Sequence, residues 1–280
     1  MTIIVDSGST KTDWVFLTEN GREIHKNSMG FNPVFHSSES ITRAAQQLID
    51  DDIRSNDKGF IYYYGSGCWN EQRKKIVRDG LHAVFKHYKI DVYHDLLGAA
   101  RATCGQTEGI ACILGTGSNS CLFDGQKVID NVTSIGYMLG DEGSGSHLGK
   151  KLVRHYFYRE IPKDLIADLE TFIGGGKKEV FEKTYNNEHP NVYLASLSRF
   201  LSQHLEHPFI QRILYRSLSE FIDRHVRKYD GHMRLPIHFV GSIACVFQEM
   251  LHIILAERNM TPGRFIKKPI DELKKYHLNK

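Results

Sequence analysis

A strand, a small-residue turn, a second strand, a tight turn and a third strand occur twice in this chain. That repetition constrains the fold more than any other feature. In the first copy Ile3-Ile4-Val5 runs into Asp6-Ser7-Gly8-Ser9-Thr10, Trp14-Val15-Phe16-Leu17 follows, Asn20-Gly21 supplies a tight-turn dipeptide, and residues 22–25 return as a third strand. In the second copy residues 110–114 run into Gly115-Thr116-Gly117-Ser118-Asn119, then Cys121-Leu122-Phe123, the tight turn Asp124-Gly125, and residues 126–129. The copies lie about 109 residues apart, longer than a solenoid period, and read as a duplicated domain.

Between the hairpins the first copy alternates helices and strands. Apolar spacing predicts helices over 38–54 and 70–87, buried strands at 60–64 and 90–93, and a small-residue helix over 96–103. After the second hairpin the chain turns mostly helical, over 143–157, 162–172, 190–206 and 209–229, with Gly174-Gly175-Gly176 as a break. A strand at 236–240 ends at Gly241-Ser242, a helix over 243–257 follows, and a short helix from Pro269 is expected to dock through Ile270, Leu273 and Tyr276. The domain boundary is expected near 105–109.

Composition narrows the class. Hydrophobic residues are 41% and charged residues 25% of 280, ordinary for a globular chain, which excludes disorder, collagen and coiled coil as the main architecture. A formal charge of +3 gives no reason to expect a nucleic-acid partner. Five cysteines without a CxxC pair read as reduced thiols, and Cys112 and Cys121 as small buried hydrophobes. The opening MTIIVDSGST has neither a basic nor a long apolar leader, and no apolar run is long enough for a membrane span. A cytoplasmic location away from membranes is the expectation.

Several segments carry possible chemistry, each beside a plainer reading. In Asp6 to Thr12, Gly8 allows close backbone approach to an anion, Ser9, Thr10 and Thr12 add hydroxyls, and Lys11 adds a charge. Asp6 could hold a hydrated Mg²⁺. The plainer reading is a polar hairpin. No P-loop pattern is present. Gly115 to Asn119 is a second anion-compatible turn. Asp95, at a strand end before a helix, is either a capping aspartate or a general base that takes the proton of a hydroxyl attacking phosphorus. In Gly140-Asp141-Glu142-Gly143-Ser144 a carboxylate could grip sugar hydroxyls, or the segment is a Ser-capped helix start. Gly241-Ser242 could seat an adenosine, or is an ordinary βα turn. Asn32 and Ser66 could reach a ligand, or close turns. His204, His207, His232 and His238 lack partners at metal-ligand spacing, and Lys74-Lys75 and Lys267-Lys268 read as solvated basic spots.

The segments DSGSTKTDW, LGTGSNS, GYMLGDEGSGSHLG and FVGSIA, in this order and spacing, resemble an N-acetylglucosamine kinase-type member of the BadF/BadG/BcrA/BcrD ATPase group, in the superfamily of actin-like sugar kinases and heat-shock ATPases. The resemblance covers nearly the whole chain. The first turn departs from the group's glycine-rich form by carrying Ser7 and Ser9. The resemblance implies an α/β fold of two ribonuclease-H-like, actin-like domains related by duplication, with a nucleotide cleft between them. The domains would be 1–108, 109–262 with a helical insertion, and 263–280 as a helix returning to the first. It implies an ATP-dependent hexosamine kinase acting on the 6-hydroxyl of N-acetylglucosamine or a related amino sugar such as glucosamine or a muramic derivative. Asp95 would be the base. Gly8, Ser9, Thr10, Lys11, Thr12, Gly115, Thr116, Gly117, Gly241 and Ser242 would bind nucleotide, and Asn32, Ser66, Ser118, Asn119, Gly136 and Asp141 the sugar. Asp6 would hold Mg²⁺ through water, and the protein would form a homodimer. The rival readings are a nucleotide- or sugar-binding regulator without turnover, and an ATPase activator of a 2-hydroxyacyl-CoA dehydratase. The activator is disfavoured because Cys121 lies inside a strand and the next cysteine is Cys245.

Overall fold

The computed structural model describes residues 1–8, 10–50, 53 and 58–278. The chain divides into two compact units. One comprises Met1–Gly105 with the C-terminal segment from Lys268, and the other Gln106–Lys267.

In the first unit, strands β1 (Thr2–Ser7), β2 (Lys11–Leu17), β3 (Glu23–Met29), β4 (Gly59–Gly65) and β5 (Tyr88–His94) form one sheet in the order β3-β2-β1-β4-β5. The β1-β2-β3 side is antiparallel, and β1-β4-β5 is parallel. Strand alternation sends Ile3 and Val5 to one face with Trp14 and Phe16, and Ile4 to the other with Val15 and Tyr64. Both faces are covered, which is why β1 reads as an unbroken apolar run. The second face is closed by the helices Asp95–Cys104 and Ile270–Leu278, through Ala102, Ile270 and Leu273. The C-terminal helix is tied down further. His277 Nε2 lies 2.7 Å from the Tyr64 hydroxyl, and its ring stacks on Tyr62 at 3.8 Å.

The second unit repeats this plan. Strands β6 (Glu108–Leu114), β7 (Ser118–Asp124), β8 (Val128–Asp130), β9 (Ile237–Val240) and β10 (Pro262–Ile266) run in the order β8-β7-β6-β9-β10, again antiparallel on the hairpin side and parallel on the other. Each of β6 to β10 takes the place of β1 to β5 in turn. The α/β duplication expected from the two hairpins is therefore present in the sheets themselves. Between β8 and β9 lies the helical insertion, whose longest members are Gly145–Phe157, Lys163–Ile173 and Pro208–Arg224.

Several boundaries differ from the sequence expectation. The helix over 38–54 ends at Gln46, where Leu48 turns inward and its carbonyl accepts from Lys26 Nζ at 2.7 Å; residues 51, 52 and 54–57 lie outside the described set. The single helix over 190–206 is two, Pro190–Ser196 and Ser198–Gln203, hinged at the buried Leu197. The helix over 243–257 is Ser242–Val246 and Gln248–Glu257, hinged at Phe247. Apolar spacing runs through both hinges, so periodicity gave no sign of them. The glycine break does end Lys163–Ile173, with Gly174 at φ +84°, but a further helix, Gly176–Tyr185, follows at once. Strand β10 was not expected. Its pairing with β9 keeps residues 263–266 in the second unit, so the units divide at 105/106 and 267/268 rather than at 108/109 and 262/263. No helix among the described residues is long and apolar enough to cross a membrane.

Candidate functional site

Register places the first unit's candidates at one edge. Ser7 pairs with Gly65, and Gly65 with His94. The three parallel strands therefore release their loops at one level, at their carboxyl ends, where open α/β sheets generally bind ligands. Gly8 and Thr10 are exposed on the β1–β2 turn, closed by Gly8 N–H donating to the Lys11 carbonyl at 3.0 Å. A methyl at Gly8 would come no nearer than 3.6 Å to another atom, so nothing in the chain itself demands glycine there. Ser9 lies outside the described residues.

Two residues of this turn already make contacts within the unit. Thr12, expected to bind phosphate, is fully buried. Its hydroxyl lies 2.8 Å from Ser7 Oγ and donates to the Met29 carbonyl at 2.8 Å, which locks the hairpin to β3. Lys11 Nζ lies 3.2 Å from Asp13, which Lys268 Nζ also reaches at 3.2 Å and Asn27 Nδ2 at 2.7 Å. Asp13 faces Asp6 across the hairpin. Burial, with the like charges of Asp13 and Asp95, pushes the Asp6 carboxyl up to about 7 against the opposing pull of Lys268. Asp13 and Lys268 were missed as members of this site. The hairpin register would have found Asp13, since pairing Ser7 with Thr12 puts Asp6 opposite Asp13.

Asp95 opens the helix Asp95–Cys104, so its carboxylate sits at a helix N-terminus that favours the anion. The N-cap position itself is His94, whose Nδ1 lies 3.2 Å from the Leu96 N–H. The capping-aspartate reading of Asp95 is thereby set aside. Asp95 Oδ1 is buried and accepts no hydrogen bond, although His94 Nδ1 lies 2.9 Å away. Burial opposes charge on His94, but Asp95 more than offsets it and the imidazole is raised above its ordinary value. Nearby, burial and the Asp95 charge push the Cys68 thiol up to about 12, which makes it inert. On the adjoining loop the Ser66 hydroxyl is buried without a partner. Asn32 spends its side-chain carbonyl on the Val34 N–H at 3.0 Å and packs against Gly67, where any Cβ would come within 2.3 Å of it. Its amide nitrogen makes no hydrogen bond among the described residues.

In the second unit, Gly115, Thr116 and Gly117 link β6 to β7. Gly115 N–H donates to the Gly117 carbonyl, and the carbonyls of Gly115 and Thr116 accept from Gly145 and Ser146 at 2.8 and 3.1 Å. These bonds use carbonyls and leave the Thr116 and Gly117 N–H groups unengaged among the described residues. Asp141 braces the turn. Its Oδ1 accepts from Ser118 N–H at 3.2 Å and from Ser134 Oγ at 3.0 Å, and a Cβ at Gly117 would come within 2.8 Å of its Oδ2. Burial raises the Asp141 carboxyl despite these donors. Ser118 Oγ is buried without a partner, whereas Asn119 Oδ1 is taken by Ser120 N–H and Asn131 Nδ2. Glu142 is held by Arg224 at 3.2 Å and His225 at 3.4 Å, and Ser144 caps the helix Gly145–Phe157 through the His147 N–H. Gly136 is exposed, at φ +74°.

Gly241 ends β9 at φ +119°, with its N–H donating to the Ile266 carbonyl at 2.9 Å; a methyl there would lie 2.3 Å from the Leu114 carbonyl oxygen. The glycine is thus imposed by the chain. Ser242 is exposed at the start of the next helix. Gly241→Ala is expected to cost about 2–4 kcal/mol, from the disfavoured φ and the backbone collision. The measurement is a thermal melt, in which an unchanged midpoint would contradict the packing described.

No family model matches the chain. The N-acetyl-D-glucosamine kinase of Dictyostelium discoideum is 26% identical over 166 residues, covering 54% of this chain and 52% of that protein, so the chain spans about half the length of this curated relative. A solved structure from Chromobacterium violaceum, provisionally named N-acetylglucosamine kinase, is 17% identical, covers 98% of each chain and has a TM-score of 0.71, which speaks to the fold alone. A solved structure from Porphyromonas gingivalis, with the same provisional name, is 37% identical, covers 100% of this chain and 99% of its own, and has a TM-score of 0.94. Similarity of that degree along the full length of a relative, on the doubled sheet plan described above, places the chain among the N-acetylglucosamine kinase-like sugar kinases of the actin-like ATPase fold.

Proposed function

We propose that this chain transfers the γ-phosphoryl group of ATP to the 6-hydroxyl of an amino sugar, N-acetylglucosamine first among the candidates, with Asp95 as general base. The observation that carries this reading is the Asp95 carboxylate at the carboxyl end of β5, level with the loop after the adjoining strand, where the buried Ser66 hydroxyl has no partner. Phosphoryl transfer asks little covalent work of a protein. It needs a positioned nucleophile, a base for its proton, and neutralisation of the phosphates. Asp95 takes the proton of the sugar hydroxyl as that oxygen attacks phosphorus and ADP leaves. Among the described residues, Ser66 of the first unit and Ser118 of the second carry buried hydroxyls without a partner, and these, with the Asn32 amide nitrogen, are the groups assigned to the sugar. The Thr116 and Gly117 N–H groups are the phosphate donors assigned in the second unit, and Gly8 and Thr10 those assigned in the first. Lys11, Gly241 and Ser242 stay on the nucleotide side, and Asn119, Gly136 and Asp141 on the sugar side.

The carboxylates fit a magnesium ion. Asp6, crowded by two like charges, offers a hard oxygen donor, and no cluster of three His, Cys, Asp or Glu among the described residues forms a protein cage. Such a donor set suits an ion that keeps waters and phosphate oxygens as ligands. Asp6 would hold it, and the ion would offset charge on the transferring phosphoryl group.

A substrate panel tests the reading. N-acetylglucosamine, glucosamine, N-acetylmuramic acid, N-acetylmannosamine and glucose are each incubated with ATP, and products are read by mass. A phosphorylated amino sugar in clear excess over phosphorylated glucose is expected; nucleotide binding without any phosphorylated sugar would reject it in favour of a regulator. Asp141→Ala is expected to raise the KM for ATP as well as that for the sugar, each by about 5–30-fold, because the turn carrying Thr116 and Gly117 loses its brace. Steady-state kinetics check this; a rise confined to the sugar would mean that the brace is dispensable.

A further inference from the structure

At the junction of β5 with the helix Asp95–Cys104, one imidazole nitrogen stands between two partners. His94 Nδ1 lies 3.2 Å from the Leu96 N–H and 2.9 Å from Asp95 Oδ1. One ring nitrogen cannot serve both. Without a proton, Nδ1 accepts from Leu96 and turns a lone pair on the carboxylate, leaving the buried Oδ1 with no donor. With a proton, Nδ1 donates to Oδ1 and satisfies it, and the Leu96 N–H is the group left over. A buried carboxylate oxygen without a donor is the costlier loss.

We propose that His94 is a positioning residue for Asp95: its protonated Nδ1 holds Oδ1, so that the other carboxylate oxygen is presented to the acceptor hydroxyl. The proposal rests on the assignment of Asp95 as base. The groups facing the pair come from each packed element. Lys74, on the helix Glu71–His82, opposes charge on His94. Asp6 on β1, Tyr63 on β4 and Cys68 on the loop after β4 face Asp95. Burial keeps Tyr63 and Cys68 neutral at working pH. Asp6 and His94 are the members that change charge there, and His94 lies 2.9 Å from Oδ1. A charged imidazole pins the base but weakens it, so turnover rises with pH as His94 loses its charge and the neutral ring keeps the proton on Nδ1.

The test uses the intact protein with ATP and N-acetylglucosamine. His94→Ala is expected to lower kcat about 10–100-fold with both KM values within about 3-fold. His94→Asn places an amide donor near the lost Nδ1 and is expected to recover most of that kcat at neutral pH, while its kcat–pH profile lacks the limb that His94 contributes. A second readout needs no turnover: the His94 ring, followed by NMR, is expected to titrate lower in Asp95→Asn, which lacks the carboxylate charge, than in the wild type. Wild-type kcat and pH profile in His94→Ala, or an unchanged His94 midpoint in Asp95→Asn, would overturn the positioning role. If Asp95→Asn is inactive in those same assays, that role alone is lost; if it turns over normally, the base assignment falls and the role falls with it.

Discussion

Asp95→Asn is expected to lower kcat by about 10²–10⁴-fold while ATP binding changes by less than about 3-fold. The substitution keeps the side chain's shape and its place at the first turn of the helix Asp95–Cys104, so the fold is preserved. It removes the group that accepts the proton. What remains is positioning and charge neutralisation, which is why a residual rate is expected rather than none. The paired measurement is single-turnover phosphate transfer with nucleotide affinity determined separately. Loss of both together would mean a damaged fold, and loss of neither would remove Asp95 from the chemistry.

Asp6→Asn is expected to move activity and stability in opposite directions. The Asp6 carboxyl is held up to about 7, against an ordinary value of 3.8, by burial first and then by Asp13 and Asp95. A carboxyl raised in the folded state binds its proton more tightly there than in the unfolded chain. Its contribution is therefore neutral below about pH 4. It becomes a growing penalty as pH rises toward 7, and a constant penalty above that, on the order of 4 kcal/mol at most. The amide cannot ionise and carries no such penalty. The variant should melt higher than the wild type at pH 8 and with a much smaller difference at pH 5, while phosphate transfer in magnesium and ATP falls by at least about 10²-fold. Equal melting at both pH values would contradict the crowding of these carboxylates. Normal transfer would contradict the role of Asp6.

The sheets were legible because hairpins are local. Turn dipeptides at Asn20-Gly21 and Asp124-Gly125 and alternating burial are written within a few residues, and Gly21 and Gly125 do take positive φ, at 80° and 94°. Their recurrence exposed the duplication before any pairing was known. Strand β10 escaped because Pro262–Ile266 is short and irregular where it meets β9, with a register shift after Pro262. At the candidate site, loops could be named but the direction of each side chain could not. Thr12 looked like one more hydroxyl on an anion loop, yet strand alternation turns it inward to Ser7 and Met29. Glu142 and Asp141 are neighbours in sequence, and only the fold separates them, giving one to Arg224 and His225 and the other to Ser118 and Ser134. Lys268 is far from Asp13 along the chain and meets it only once the C-terminal helix has docked.

Phosphoryl transfer to the sugar is tested by following the γ-phosphoryl group of ATP in the presence of N-acetylglucosamine, with the product identified by mass and by phosphorus NMR. A single sugar monophosphate esterified at O6 is expected, formed in step with ADP and lost in Asp95→Asn. Inorganic phosphate released in step with ADP, with no sugar ester, would contradict it.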